Sequence, residues 1–160
     1  MEITRRSALA LLSASSAFAI DTREPAPKFH ARSIDGEKFD NASVKGKAVL
    51  VQFWATWCPY CKRDQPAVDQ ITNDYADKGL IVLAVDMKEE PRKVTGYLAR
   101  SARACKVVLM RDTNLGAMFA AHAFPYYVLI DTNGKIAETH KGAMGEDGLR
   151  HMLRKAIEID

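Results

Sequence analysis

Two cysteines, Cys58 and Cys61, stand two residues apart in the stretch Trp54-Ala55-Thr56-Trp57-Cys58-Pro59-Tyr60-Cys61. An apolar run, Ala48-Val49-Leu50-Val51-Gln52-Phe53, precedes them and reads as a buried strand. A segment with helical spacing follows. A cysteine pair where a strand hands over to a helix is the layout of a thiol–disulfide redox centre. Pro59 suits the first helical position, where its missing N–H leaves no intrahelical bond unmade. Cys58 is then the expected N-cap, with its sulfur at the positive end of the helix, where a thiolate is favoured. Cys58 is expected to be the more exposed sulfur and the nucleophile. Cys61, one turn in, can attack a mixed disulfide on Cys58 and release the product. Trp54 and Trp57 are expected to shield the pair. A structural disulfide and a zinc half-site are the competing readings. Zinc wants about four ligands, whereas the chain has three cysteines and no histidine at finger-like spacing from the pair.

The elements that must position the pair fit one domain of 160 residues. Apolar content of 48% and charged content of 27% are ordinary for a globular chain. A net charge of +3 without a dense basic run gives nucleic-acid binding no support. The start reads as an address. Met1 to Arg6 is short and charged, Ser7 to Phe18 is small and apolar, and Ala17-Phe18-Ala19 matches a small-x-small cleavage site. Residues 1–19 are therefore expected to be an export signal, cleaved before Ile20, with residues 20–160 as the folded domain. Arg5-Arg6 matches a twin-arginine pattern only loosely. The apolar run falls short of the about 20 residues that span a bilayer, so an uncleaved anchor is the lesser reading. The expected location is the periplasm or another exported site, an oxidising compartment.

Asp35-Gly36 is a hairpin turn signal between Phe29–Ser33 and Glu37–Phe39. The helix after the pair should run from about Pro59 to Ala76. Its apolar positions Cys61, Val68, Ile71 and Tyr75 put Asp64 on the inward face, and Pro66 should kink it. Leu80–Val85 reads as a strand covered on both faces, Lys93–Arg103 as a helix and Val107–Met110 as a strand. Asp112-Thr113-Asn114 can cap a short helix, Leu115–His122. Tyr126–Ile130 and Lys135–His140 form a hairpin, and Glu146–Ile159 is a closing amphipathic helix. The order βαβαβαββα after the first hairpin predicts an α/β fold: a mixed central sheet, parallel where helices separate the strands, with helices on both faces and an N-terminal β-hairpin extension.

The chain resembles the thioredoxin superfamily, and within it the TlpA/ResA-like branch of exported thiol–disulfide oxidoreductases. The residues that carry this are Gly46 to Cys61, with Asp64 and Pro66, then Phe124-Pro125 and Leu129 to Ile136. The resemblance spans roughly Lys28 to the C-terminus. It implies a thioredoxin fold and a cis peptide before Pro125, facing the cysteines and offering backbone groups to a substrate strand. Trp57, Pro59, Tyr60, Phe124, Pro125 and Tyr126 would then line the docking surface. Tyr126 departs from the small polar residue usual in the family and is expected to narrow or reshape that groove. Gln52 replaces the buried acid of cytoplasmic thioredoxins. The branch tends to carry an acid where Asp64 stands, a candidate to take the proton from Cys61 when that thiol attacks.

The expected protein reduces protein disulfides through Cys58 and Cys61, with Asp64 as the third catalytic residue and cytochrome c maturation as one setting the resemblance suggests. No cofactor or metal is expected beyond the redox-active disulfide itself. The expected partners are a protein thiol or disulfide substrate and a membrane-linked or thioredoxin-type electron donor, and the chain is expected to be a monomer. The competing readings are a disulfide-donating oxidant and a carrier holding a copper-type ion on the two thiolates. Cys-Pro-Tyr-Cys also occurs in glutaredoxins, but the flanking Trp-Ala-Thr-Trp argues against that branch. Cys105 reads as a core or semi-exposed thiol. His122 is a weak candidate to join the cysteines as a third metal ligand. His30, His140 and His151 show no constellation. Lys62, Arg63, Arg92, Lys93, Arg100, Arg103 and Lys106 read as solvated faces.

Overall fold

The computed structural model describes residues 22–158. The export signal expected in residues 1–19 lies outside them. Twelve elements follow one another: β1 (His30–Ser33), β2 (Lys38–Asp40), β3 (Ala48–Trp54), α1 (Pro59–Asp74), a 3-10 turn (Ala76–Lys78), β4 (Leu80–Asp86), α2 (Pro91–Leu98), β5 (Lys106–Thr113), α3 (Leu115–Met118), β6 (Tyr126–Ile130), β7 (Ile136–Lys141) and α4 (Gly145–Leu153). The strands form one seven-stranded sheet in the order β2-β1-β5-β4-β3-β6-β7. β3 lies inside it, parallel to β4 on one side and antiparallel to β6 on the other.

β3 is buried along its whole length, as a strand covered on both faces must be, and alternation splits its side chains between two cores. Leu50 and Trp54 pack with Val68 and Ile71 of α1 and with Leu149, Met152 and Leu153 of α4. Val49, Val51 and Phe53 pack on the other side with Phe29, Leu115 and Phe119. The N-terminal hairpin extends the sheet, with β1 antiparallel to both β2 and β5.

The helices differ from their sequence-based bounds at the ends. α1 stops at Asp74, and the chain continues as a 3-10 turn that closes at Gly79. Gly79 takes φ +81°, a left-handed conformation that glycine adopts without a Cβ penalty. α1 runs through Pro66 as one helix. α2 begins at Pro91, since proline fits a first turn, and stops at Leu98. β5 continues past Met110 to Thr113.

A larger correction concerns β6. A helix between β5 and β6 implied a parallel pairing, yet β6 pairs antiparallel with β3. The reason is length. α3 has four residues, or about 6 Å of helix, whereas the eight residues of β5 extend about 26 Å. So short a helix does not carry the chain back to the start of β5. The chain instead re-enters the sheet at the end it left.

Candidate active site

That re-entry brings Phe124-Pro125 to the end of the sheet where β3 delivers Cys58. The Phe124–Pro125 peptide is cis, and Cys58 Sγ lies 3.6 Å from the Phe124 carbonyl oxygen. Cys58 is the N-cap of α1 and Pro59 opens the helix. The Cys61 backbone N–H donates to Cys58 Sγ at 3.2 Å, so the sulfur occupies the place where a serine or aspartate cap accepts its bond. Cys58 and Cys61 are joined as a disulfide, with their Cα atoms 5.3 Å apart. The expected contrast in exposure is absent from this oxidised form, because both cysteines are 3% exposed. The Cys58 sulfur lies on the first turn of the helix and against the Phe124 carbonyl.

The aromatic residues divide between surface and core. Trp57 is 60% exposed and Tyr60 56%, which makes them the protruding rim of the site. Trp57 sets its ring edge-on to Phe124, with centroids 6.2 Å apart, and Arg63 covers the Tyr60 ring. Trp54 is 2% exposed and packs in the same core as the two cysteines, with the Arg103 guanidinium 5.1 Å from its ring centroid. The expectation for Tyr126 is corrected. Its ring stacks on Phe53 at 5.6 Å inside the opposite core, because the first residue of β6 alternates inward. At the docking edge Tyr126 therefore presents backbone.

Asp64 points inward, as helical spacing requires, and is 1% exposed. Its Oδ2 accepts the Tyr127 hydroxyl at 2.9 Å and the Met144 N–H at 2.8 Å, while Oδ1 accepts the Gly145 N–H at 3.0 Å. The carboxylate thus caps α4 from the side, where helix N–H groups lack partners. Of the roughly four lone-pair positions of a carboxylate, three are taken. A polar chain continues behind it. Gln52 donates to the Tyr127 oxygen at 3.1 Å, and Arg103 donates to the Gln52 carbonyl at 2.9 Å. The sequence alone places Arg103 on a solvated face, and the fold does not. Its side chain is 1% exposed and also pairs with Asp69. Burial pushes the Tyr127 phenol far up, reinforced by the Asp64 carboxylate, so Tyr127 acts as a hydrogen-bond donor.

Sequence reasoning missed Tyr127, Asp86 and Glu89. Glu89 fastens the active-site loop, accepting the Thr56 N–H at 2.7 Å and the Thr56 hydroxyl at 2.6 Å. The available signal was an acid ending an apolar strand, Leu-Ile-Val-Leu-Ala-Val-Asp86, with another acid three residues on. His122 does not join the cysteines: among the described residues, no three histidine, cysteine or acidic side chains gather as a metal site. Cys105 is buried and free, and burial pushes its thiol up to about 11.

A cysteine pair closing the N-terminus of a helix beside a proline-led strand, on this sheet, defines a thioredoxin-fold thiol–disulfide oxidoreductase. Residues 22–156 match the family model described as Redoxin, and the chain belongs to that family. It is 31% identical over 136 residues to the thioredoxin-like protein YneN of Bacillus subtilis, covering 84% of this chain and 79% of that one. It is 28% identical over 130 residues to the thiol-disulfide oxidoreductase ResA of Halalkalibacterium halodurans, covering 81% and 74%. Among solved structures, a thioredoxin-family thiol:disulfide interchange protein from Chlorobium tepidum superposes with a TM-score of 0.75 at 26% identity, over 86% of this chain and 99% of that one.

Proposed function

We propose that the protein is an exported, monomeric reductant of protein disulfides. The observation that carries the reading is Cys58 at the α1 N-cap, accepting the Cys61 N–H and lying against the Phe124 carbonyl. In the reduced protein the Cys58 thiolate attacks one sulfur of a substrate disulfide. That bond breaks, one substrate thiolate leaves, and a mixed disulfide forms. The Cys61 thiol then loses its proton and attacks Cys58 Sγ. The second substrate thiolate departs, two electrons have passed to the substrate, and the Cys58–Cys61 disulfide is left. A dithiol donor, membrane-linked or of thioredoxin type, reloads it.

Asp64 is the proton acceptor for Cys61 in this scheme, through the one lone-pair position its three donors leave open. Trp57, Tyr60 and Phe124 supply the apolar rim for the substrate, and the backbone around Pro125 and Tyr126 supplies polar groups to an extended segment. The TlpA/ResA-like resemblance, together with the small apolar run Ser7 to Phe18, supports export. Cytochrome c maturation is the setting we infer from the TlpA/ResA-like resemblance. Among the described residues no helix is long and apolar enough to cross a membrane.

The deciding experiment is the reduction potential of the Cys58–Cys61 couple, measured in the Cys105→Ser variant against a thiol redox buffer. A value near about −270 mV supports a reductant with its own electron supply, and one near about −120 mV makes the protein a donor of disulfides.

A further inference from the structure

We propose that Asp86 and Glu89 hold one proton between them and act as a positioning pair for the loop that delivers Cys58, tying cysteine reactivity to a group that is not a thiol. The inference rests on the reading of Cys58 as the attacking sulfur.

Asp86 ends β4, in register with Trp54 of β3 and Leu109 of β5. Leu80, Val82 and Ala84 of the same strand lie in the core that contains Cys58 and Cys61, and alternation turns Asp86 to that face. Asp86 is 1% exposed, and neither carboxyl oxygen has a donor among the described residues. A buried carboxylate without a partner is costly enough that the group takes a proton instead.

Glu89 is in the opposite condition. Its side chain is 3% exposed, yet it accepts two bonds from Thr56 and lies 3.1 Å from the Lys93 ammonium. Those donors suit a carboxylate. Glu89 follows Asp86 by three residues and is the neighbouring carboxylate that, after burial, raises it, so the two favour the state in which only one of them is ionised. The donors fix which one. Asp86 holds the proton and Glu89 the charge. The shifts agree: burial, then Glu89, push Asp86 up. Burial also pulls Glu89 up, but neighbouring Asp86 and the bonds from Thr56 and Lys93 outweigh it and bring Glu89 down.

Thr56 stands two residues before Cys58, and both its N–H and its hydroxyl are fastened to Glu89. The turn it belongs to is closed by the Cys58 N–H on the Ala55 carbonyl at 3.2 Å, and the Met87 N–H holds the Trp54 carbonyl at 3.0 Å. The charged groups on that side are Lys93 of α2, which pairs with Glu89, and Arg103, over the ring of Trp54 of β3; the Cys58–Cys61 disulfide belongs to the same core. While Asp86 is neutral the pair is one anion balanced by Lys93. When Asp86 ionises, two carboxylates repel, the hold on Thr56 loosens, and exchange at Cys58 slows at a pH where the thiolate is more abundant.

The test follows the Thr56 backbone amide by NMR from pH 5 to pH 10 in the oxidised protein, where neither active-site sulfur titrates. The amide is expected to show a titration step that disappears in Asp86→Asn. In Glu89→Gln, a second variant, the step is expected to move down by about one unit or more, because the like charge is gone. Alkylation of Cys58 in the reduced protein is expected to show two inflections against pH, and one in Asp86→Asn. A Thr56 amide that does not titrate, or that titrates unchanged in Asp86→Asn, overturns the proposal. A wild-type protein without disulfide-reductase activity would overturn the functional reading while leaving the Thr56 step in place.

Discussion

The Tyr127 hydroxyl donates to Asp64 across the interface between β6 and α1, at 2.9 Å, while accepting from Gln52. One phenol therefore completes two buried polar groups. Tyr127→Phe leaves the Gln52 amide short of an acceptor and Asp64 short of a donor. It is expected to lower stability by about 1–3 kcal/mol, read by urea denaturation. Unchanged stability would mean the network carries no weight.

Asp64→Asn separates two roles. An amide can still accept from one α4 N–H but turns a donor toward the others, so a loss of about 1 kcal/mol of stability is expected. If Asp64 takes the proton of Cys61, release from the mixed disulfide should slow by about 100-fold or more while capture by Cys58 stays largely intact. Stopped-flow measurement of the two phases separates these effects, and an unaltered release phase would take Asp64 out of the mechanism.

Cys61→Ser should arrest the reaction after its first half. The variant is expected to accumulate a mixed disulfide between Cys58 and substrate, visible by non-reducing electrophoresis, whereas Cys58→Ser should form none. Accumulation on Cys61 instead would reverse the two sulfurs' roles.

Trp57→Ala removes an exposed ring that touches Phe124. Stability should change by no more than about 0.5 kcal/mol. KM for a protein disulfide should rise, and the rate with a small disulfide should hold. A parallel loss with both substrates would place Trp57 in the chemistry and not in docking.

Asp86 sets a pH dependence of stability. Its carboxyl is pushed up to about 8 by burial and by Glu89, from the ordinary 3.8. Between about pH 5 and 8 the folded chain therefore holds a proton that the unfolded chain has lost. Stability tied to that proton is greatest at low pH and falls as pH rises through that window. Glu89, brought down to about 2, is ionised in both states there and adds no slope. Denaturation at pH 5.5 and pH 8.5 should show the decline, and Asp86→Asn should flatten it.

The sequence made the redox pair and its helix legible because their signals are local. Proline at the first helical position, the cysteine spacing and the apolar β3 run each act within a few residues. Asp64 was legible through helical periodicity alone. Its partners were not, since Met144 and Gly145 belong to a helix some 80 residues on. Arg103 looked solvated because a cation in a polar segment usually is, and only the fold brings Gln52 and Asp69 to it. The orientation of β6 was not legible, because strand order carries no information on whether a short helix spans the sheet.

Cys105 gives the molecule an internal gauge of its own integrity. Its thiol is 7% exposed and pushed up to about 11 by burial, so it stays silent toward alkylating reagents while the core is closed. The reduced native protein should therefore count as a dithiol and the unfolded one as a trithiol. The rate at which the third sulfur becomes reactive reads the opening of the core that holds Val107 and Leu109, separately from the chemistry at Cys58 and Cys61.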